Sequence, residues 1–509
     1  MLRWIDKFLN GITMYRLTLY VLAAFFLVAV LFAAFGVLSM SPLMLLFSLL
    51  FITVLCWATN TFFSLSFGAP TNVESVYITA FILVLLISPP ASVGDGQYLE
   101  LACWASIWAM ASKYIIAIRR KHLFNPAAFA VALTALTLNQ SASWWVATSA
   151  MAPFIFVGGL LMTRKIQRFD LVVSFFVVAL LAILLPHLAD TPSLGRLTRN
   201  VLANTPLLFF AFIMLTEPLT LPPQRLLRVV YGALTGLLFA PWIHLGSFTF
   251  TPELALVAGN VFSYLVSPKQ KLFLTLKQKI PMAQDIYEFV FSSDRLLRFM
   301  PGQYLEWTLG HARPDTRGNR RYFTISSSPA ESDIAVGVRF YPQSSTFKQN
   351  LLAMEPGGTI IASQLAGEFI LPKDTTKKLV FMAGGIGITP FRSMVQDLLD
   401  RSEARSVTLL YSNRTASEIA YREVFAEAEK RLRLKVIYTL TDQKAVPTGW
   451  QGAVGRIDEQ MIRREVPDFA DRYFFISGTR AMVLAFADTL QRMGVSPSRI
   501  RQDFFPGFV

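Results

Sequence analysis

The charged residues divide this chain in two before any motif is considered. Residues 1–268 carry 14 Lys+Arg and 8 Asp+Glu, about 8% of positions, whereas residues 269–509 carry 33 and 25, about 24%. A soluble domain holds about 25% charged residues, so only the second part has the composition of one. The overall 53% hydrophobic and 16% charged content is the average of these two unlike halves. It excludes intrinsic disorder, a collagenous repeat and a disulfide scaffold. The two cysteines, Cys56 and Cys103, are too few and too far apart for an iron–sulfur cluster, and no metal site is expected. Of the net charge of +14, 6 belongs to the first half, and the remaining 8 is a mild excess spread over the second half without a run of Lys/Arg. Nucleic acid is therefore not an expected partner.

A bilayer-crossing helix needs about 20 apolar residues. The first half offers roughly ten candidate spans on this rule: 16–38, 42–63, 73–88, 98–118, 124–138, 144–162, 169–185, 201–215, 229–245 and 252–266. The third and fifth are short enough to be tilted, broken or re-entrant. Pro89-Pro90 and Asn125-Pro126 mark their ends. Basic residues in cytoplasmic loops then set the orientation. With the N-terminus inside, the inner loops collect Arg3, Lys7, Arg119, Arg120, Lys121, Arg164, Lys165, Arg168, Arg225, Arg228, Lys269 and Lys271. The outer loops keep Arg196 and Arg199. The expectation is a multi-pass protein of the inner (cytoplasmic) membrane with both termini cytoplasmic and the lipid bilayer as its first partner.

Beyond Pro268 the pattern changes to short strands. Phe299-Met-Pro-Gly-Gln-Tyr304 is a Pro-Gly turn leading into a strand, and Arg320 to Pro329 follows. That stretch puts a cation, aromatic faces and a row of hydroxyls on one strand and its exit, a set suited to an isoalloxazine ring and a pyrophosphate. Farther on, the apolar strand 378–383 runs into Gly384-Gly-Ile-Gly-Ile-Thr-Pro390 and a helix over 391–399. A glycine-rich turn between a parallel strand and a helix lets phosphates approach backbone amides at the helix N-terminus. Strands over 406–411, 434–439 and 473–476 alternate with helices, which predicts a doubly wound sheet.

These elements, in this order, resemble the ferredoxin–NADP reductase superfamily across nearly all of residues 270–509. The family's Arg-x-(Tyr/Phe)-(Ser/Thr) motif matches Arg321, Phe323 and Thr324, with Tyr322 between and Ser326 beyond. Its pyrophosphate-binding turn is similar to Ser344-Ser345-Thr346-Phe347, its Gly-x-Phe to Gly367-Glu-Phe369, and its nicotinamide motif to Gly384–Pro390. The resemblance implies an antiparallel FAD-binding barrel at 269–372 and an NAD(P)H-binding α/β domain at 373–509, after a transmembrane domain at 1–268. Arg321 would hold the FAD pyrophosphate with Ser345 and Thr346, Phe323 would stack on the flavin, and Thr324 would tune its reactive nitrogen. Gly384, Gly385, Gly387, Thr389 and Pro390 would seat the dinucleotide, with Ser412, Arg414 and Gly478 around it. The family's Cys-Gly-Pro is Ser477-Gly-Thr479 here, so Ser477 stands beside the nicotinamide in place of a thiol. Phe508, in Phe504–Phe508, loosely matches the aromatic tail that some members lay over the flavin. Arg414 could pair with a 2′-phosphate, and no carboxylate adjoins it in the sequence to favour a ribose hydroxyl.

The first half resembles the flavin-bearing membrane components of the sodium-translocating NADH:quinone oxidoreductase and of the Rnf complex. Glu74–Pro90, His122–Ala128 and Met214–Thr220 carry that likeness. Those relatives esterify a flavin to a threonine in an outer loop. The corresponding 190–198 lacks their motif, so the implied group is a non-covalent flavin or a quinone. The expected function is an FAD-dependent NAD(P)H oxidoreductase passing electrons to a quinone or redox-protein acceptor, with further electron-transfer subunits as candidate partners. One alternative is a transmembrane haem-type reductase or oxidase, for which His122, His187 and His244 are too few for two bis-histidine haems. Another is an ion transporter with a redox-sensing flavin domain, in which Glu74, Asp170 and Glu217 would line the path.

Overall fold

The computed structural model describes residues 5, 8–9 and 12–503, apart from 69–72, 119–120, 188–190, 246–247, 268–270, 312–313, 316–317 and 433. The chain divides into two compact units, Met1–Lys269 and Gln270–Val509. The expected boundary after residue 268 lies outside the described residues, as does Phe508.

The first unit is helical: α1 Met14–Ala34, α2 Pro42–Phe67, α3 Val73–Leu86, α4 Gly96–Ile115, α5 Pro126–Thr137, α6 Ala152–Ile166, α7 Phe169–Leu184, α8 Thr191–Asn204, α9 Leu207–Met214, α10 Arg225–Leu238 and α11 Pro252–Val266. Among the described residues, three helical stretches are long and apolar enough to cross a bilayer: Met14–Ala34, Pro42–Phe67 and Phe169–His187. A fourth is reached if Leu194–Asn204 and Leu207–Met214, bent by 56°, count as one. Several sequence-expected spans are shorter because local chemistry ends them. The 144–162 span starts as a helix only at Ala152, since Trp144 has φ 53° and residues 143–145 turn back onto α3. There Ser143 N and Trp144 N donate to Leu86 O, and Trp145 Nε1 donates to Val84 O at 2.7 Å. These donors occupy carbonyls that the end of α3 leaves open. Asn125 accepts from Ala128 N at 3.1 Å and Pro126 opens α5, so Asn125-Pro126 is a helix start. α10 lies against α7 at Gly232 and Gly236, where an added Cβ would come within 2.7 Å of Leu171 O and of Phe175 O. Small residues four apart allow this backbone approach.

The second unit contains two six-stranded sheets. In the first, β1 Leu272–Ala283, β2 Ile286–Ser293, β3 Tyr304–Thr308, β4 Arg320–Thr324, β5 Ile334–Arg339 and β6 Thr359–Ala366 form an antiparallel sheet of order β4-β3-β6-β1-β2-β5, with helix α12 Thr346–Leu352 before β6. Its ends meet, since Ser326 N donates to Ala335 O at 2.8 Å and Ala335 N to Ser327 Oγ at 3.0 Å. The sheet is thereby a barrel, filled by Leu274, Phe289, Phe291, Leu305, Trp307 and Val336.

The second sheet comprises β7 Leu379–Gly384, β8 Val407–Asn413, β9 Lys435–Leu440, β10 Ala453–Val454, β11 Tyr473–Ser477 and β12 Ile500–Asp503, all parallel, in the order β10-β9-β8-β7-β11-β12. Helices α13 Thr389–Asp400, α14 Arg422–Leu432, α15 Glu459–Glu465 and α16 Arg480–Arg492 connect the strands. β7 is buried on both faces, which explains its uninterrupted apolar run. Leu379, Phe381 and Ala383 pack with Phe391 and Phe425, while Val380 and Met382 pack with Ile476 and Val483. The boundaries differ from the expected ones by a residue or two. α13, expected from 391, starts at Thr389 because Pro390 suits the first helical turn.

Candidate flavin and dinucleotide site

β7 is the first strand of the parallel sheet, with β8 on one side and β11 on the other. The winding reverses there, and such a switch point opens a crevice at the carboxyl ends of the strands. Gly384 is in register with Ser412, and Ala383 with Ser477, so the expected residues of three strand ends share one rim. Gly385 has φ +53°, a left-handed conformation natural to glycine. Its missing side chain faces open space apart from Arg339 Nη1 at 3.4 Å. Gly387 serves packing, because an added Cβ would stand 2.5 Å from Ser477 O and 2.6 Å from Gly478 Cα. The turn lies against the exit of β11 for that reason. Tyr411 donates from its hydroxyl to Gly385 O at 3.2 Å and steadies the turn. Thr389 donates to Ile386 O at 3.2 Å, so its hydroxyl closes the turn. Asn413 is buried at the end of β8, and neither its Nδ2 nor its Oδ1 has a partner among the described residues. A buried amide of that kind calls for a ligand or water. The crevice fits a dinucleotide.

Arg414 is largely exposed, with Asp442 Oδ2 3.7 Å from its Nε. The sequence shows no carboxylate beside Arg414, and the structure supplies one from the loop after β9. Pairing between β8 and β9 continues past the strand ends, where Asp442 N donates to Arg414 O at 3.1 Å.

On the barrel, β4 pairs only with β3 within the sheet, setting Phe323 opposite Leu305 and Arg321 opposite Trp307. Arg321 is buried; its Nη1 donates to Gly318 O at 3.2 Å, and its guanidinium lies over the Phe347 ring at 5.2 Å. Phe323 is half-buried, 6.0 Å from Phe347 between ring centroids. The more exposed ring is Tyr322, set edge-on to Tyr304 at 5.7 Å, its hydroxyl donating to Glu306 at 2.8 Å. Thr324 is buried at the strand's end. A guanidinium and adjacent aromatic faces fit a flavin dinucleotide.

The hydroxyl row makes hydrogen bonds within the protein. Ser326 is fully buried and donates to Glu288 Oε1 at 2.8 Å. Ser327 bonds to the backbone at Ala335, and Ser328 to Asp400. Ser345 caps α12, accepting from Lys348 N at 3.4 Å. Thr346 Oγ1 accepts from Asp315 N at 3.0 Å and lies 3.0 Å from His311 Nε2. These hydroxyls close turns and join elements, work that favours serine as much as ligand binding does.

The sequence reading missed the residues that bring barrel and sheet together. Tyr421 sits in left-handed backbone with φ +61°, and its hydroxyl donates to Glu288 Oε1 at 3.0 Å. Burial, reinforced by the Glu288 carboxylate, pushes the Tyr421 phenol well above its ordinary pKa. Gly337 lets it in, since a Cβ there would stand 2.4 Å from the Tyr421 hydroxyl oxygen. Arg392 on α13 donates to Ser326 O at 3.0 Å and pairs with Glu331 at 2.5 Å. Burial opposes its charge, and Glu331 more than offsets that. Arg339 at the end of β5 pairs with Glu418 at 2.6 Å.

In comparison with known proteins, residues 381–488 match the oxidoreductase NAD-binding domain family. The C-terminal half is similar to the reductase modules of known oxidoreductases. The reductase module is 26% identical over 230 residues to the glycine betaine monooxygenase reductase subunit of Chromohalobacter salexigens, covering 43% of this chain and 60% of that protein. It is 23% identical over 235 residues to the flavohemoprotein of Oceanobacillus iheyensis, covering 45% and 57%. The chain thus spans about 60% of the length of the curated relatives it matches. Among solved structures, a ferredoxin NADP+ reductase from Neisseria gonorrhoeae with bound FAD and NADP matches with a TM-score of 0.40 and 18% identity, over 46% of this chain and 97% of that one. The expected NAD(P)H-binding oxidoreductase class is borne out for this part of the chain.

Proposed function

We propose that the chain is a membrane-bound NAD(P)H oxidoreductase. In this reading the reductase module takes electrons from NAD(P)H and delivers them to a quinone or flavin in the N-terminal unit, or to a redox protein beyond it. The observation that carries the donor side is the glycine-rich turn at the switch point, with its open Gly385 and the buried, unpartnered Asn413. Bound FAD supplies the conversion of a hydride into single electrons. The chain's own residues bind and orient. Arg321 neutralises the pyrophosphate, Tyr322 and Phe323 present aromatic faces, and Thr324 and Ser477 stand where the two ring systems would meet. The Glu288–Tyr421 and Arg392–Glu331 contacts hold the barrel against the sheet and keep that geometry constant.

The membrane part of the proposal rests on the surface of the first unit. Leu27, Phe35, Leu43, Leu50, Phe62, Leu65 and Leu181 are exposed along α1, α2 and α7, an arrangement suited to lipid and unsuited to water. The roughly ten spans, the cytoplasmic termini, the three domains 1–268, 269–372 and 373–509, and the likeness to the membrane components of the quinone reductase and the Rnf complex belong to the same reading. The test is an optical spectrum of the detergent-purified chain before and after NADH or NADPH, with extraction of its flavin. Flavin bleaching by either donor and more than one flavin per chain, or reduction of added quinone, supports the reading. A chain that binds one flavin and passes no electrons to quinone or any membrane acceptor refutes its membrane half.

A further inference from the structure

The first unit encloses a chain of polar groups that nothing in the reductase chemistry uses. The Lys113 ammonium on α4 donates to Ser75 O at 3.2 Å, Ser75 Oγ at 3.2 Å and Thr79 Oγ1 at 3.0 Å, all on α3. Its three protons are thereby used. Within electrostatic reach are the buried Cys56 thiol of α2, beside Ser106, and the Glu217 carboxyl that follows α9. Near Glu217 as well, Asn125 N donates to Asn260 Oδ1 at 2.8 Å, and Asn260 Nδ2 donates to the Tyr231 hydroxyl oxygen at 2.9 Å. Asn125 Nδ2 also reaches Met214 O at 3.4 Å and lies beside Glu217. Among the described side chains, Lys113, Cys56, Tyr231 and Glu217 are the titratable groups that act on one another here.

Glu217 differs from the other acidic residues of the unit. Glu74 pairs with Arg16 at 3.0 Å, Asp170 pairs with Arg228 at 2.9 Å, and Glu253 accepts from Trp144 Nε1 at 3.2 Å. Oε2 of Glu217 is buried and has no hydrogen-bond partner among the described residues; Oδ1 of Asp170 shares that property, but its carboxylate is held at Oδ2 by the Arg228 guanidinium. Directly before it, Phe210–Met214 is a π-helical segment, a local widening that often accompanies a functional site. An ionised carboxylate oxygen without a donor is disfavoured in an apolar interior, whereas a carboxylic acid leaves one oxygen satisfied by its own proton. The neighbouring ammonium already brings the positive charge that a metal cation would contribute.

We propose that Glu217 is the proton-binding group of a buried site formed with Lys113, Asn125 and Tyr231, and that its ligand is a hydrogen ion. The step is the conversion of the Glu217 carboxylate and a hydrogen ion into the carboxylic acid. One O–H bond forms at Oε2, one O–H bond of the hydronium ion that delivers the proton breaks and leaves water, and no electrons change hands. This site goes beyond the proposed function and stands whichever acceptor the reductase module serves.

The probe is dicyclohexylcarbodiimide, an apolar reagent that modifies protonated carboxyl groups, applied to the full-length protein in detergent across a pH series. Adducts are then located by peptide mass spectrometry. The expected result is an adduct on the Glu217 peptide that declines as pH rises and is indifferent to added Na+ or K+. Glu74 and Asp170 stay unmodified. Lys113→Gln, which removes the charge favouring the ionised form, increases the adduct several-fold at neutral pH. Absence of the Glu217 adduct in folded protein that acquires it after unfolding overturns the proposal. So does an adduct confined to Glu253. Suppression by Na+ at constant pH would make the carboxylate a metal-cation ligand and overturn it equally.

Discussion

Tyr421→Phe tests how barrel and sheet are held together. The substitution keeps the ring and removes one donor from Glu288, leaving Ser326 at 2.8 Å as the other. A hydrogen bond to a charged, buried group contributes about 1.5–3 kcal/mol, and Glu288 is 6% exposed, so solvent does not replace the lost donor. The expected destabilisation of the reductase module is about 2 kcal/mol, a factor of about 30 in the equilibrium constant. Urea titration of the purified full-length chain, followed by release of flavin fluorescence, measures it. The same residue predicts an alkaline response. A phenol whose pKa is raised in the folded state stabilises fully below its unfolded value of about 10, and that contribution is lost as the pH climbs from there toward the folded value. The wild type therefore loses stability above pH 10 more steeply than the variant. A Tyr421→Phe protein within about 0.5 kcal/mol of wild type, with an unchanged alkaline limb, would refute the reasoning.

Arg321→Ala is expected to lose FAD while the helical unit stays folded, because a charge-assisted contact to pyrophosphate is stronger than a neutral one; flavin content after gel filtration checks it, and full retention moves the role to Arg320. Gly385→Val forces a β-branched residue to φ +53° in the open part of the crevice, so reduction by NAD(P)H should vanish while dithionite still bleaches the flavin. Arg414→Ala should lower efficiency with NADPH about tenfold relative to NADH, and Asp442→Ala should do the reverse; steady-state rates with both donors and an artificial acceptor decide it.

Much of this protein was legible in the residues themselves. The uneven distribution of charge separates an apolar unit from a water-facing one, because burial of apolar surface is a property of composition. The strand–turn–helix at 384–390 is equally local: glycine permits the turn, proline suits the first helical turn, and both signals lie within seven residues. Tertiary structure decided the rest. Glu288 and Tyr421 are 133 positions apart and meet at 3.0 Å, and Asp442 reaches Arg414 only through β8–β9 pairing. Ser326, Ser327 and Ser328 have the composition of a ligand-binding row, yet their partners turn out to be Glu288, the Ala335 backbone and Asp400. In the helical unit, Trp144 and Trp145 have the apolarity of a span and instead fold back to occupy the last carbonyls of α3. Hydropathy reports that a side chain avoids water. Which backbone groups it satisfies, and which carboxylate is left without a donor, depends on packing between segments far apart in the chain.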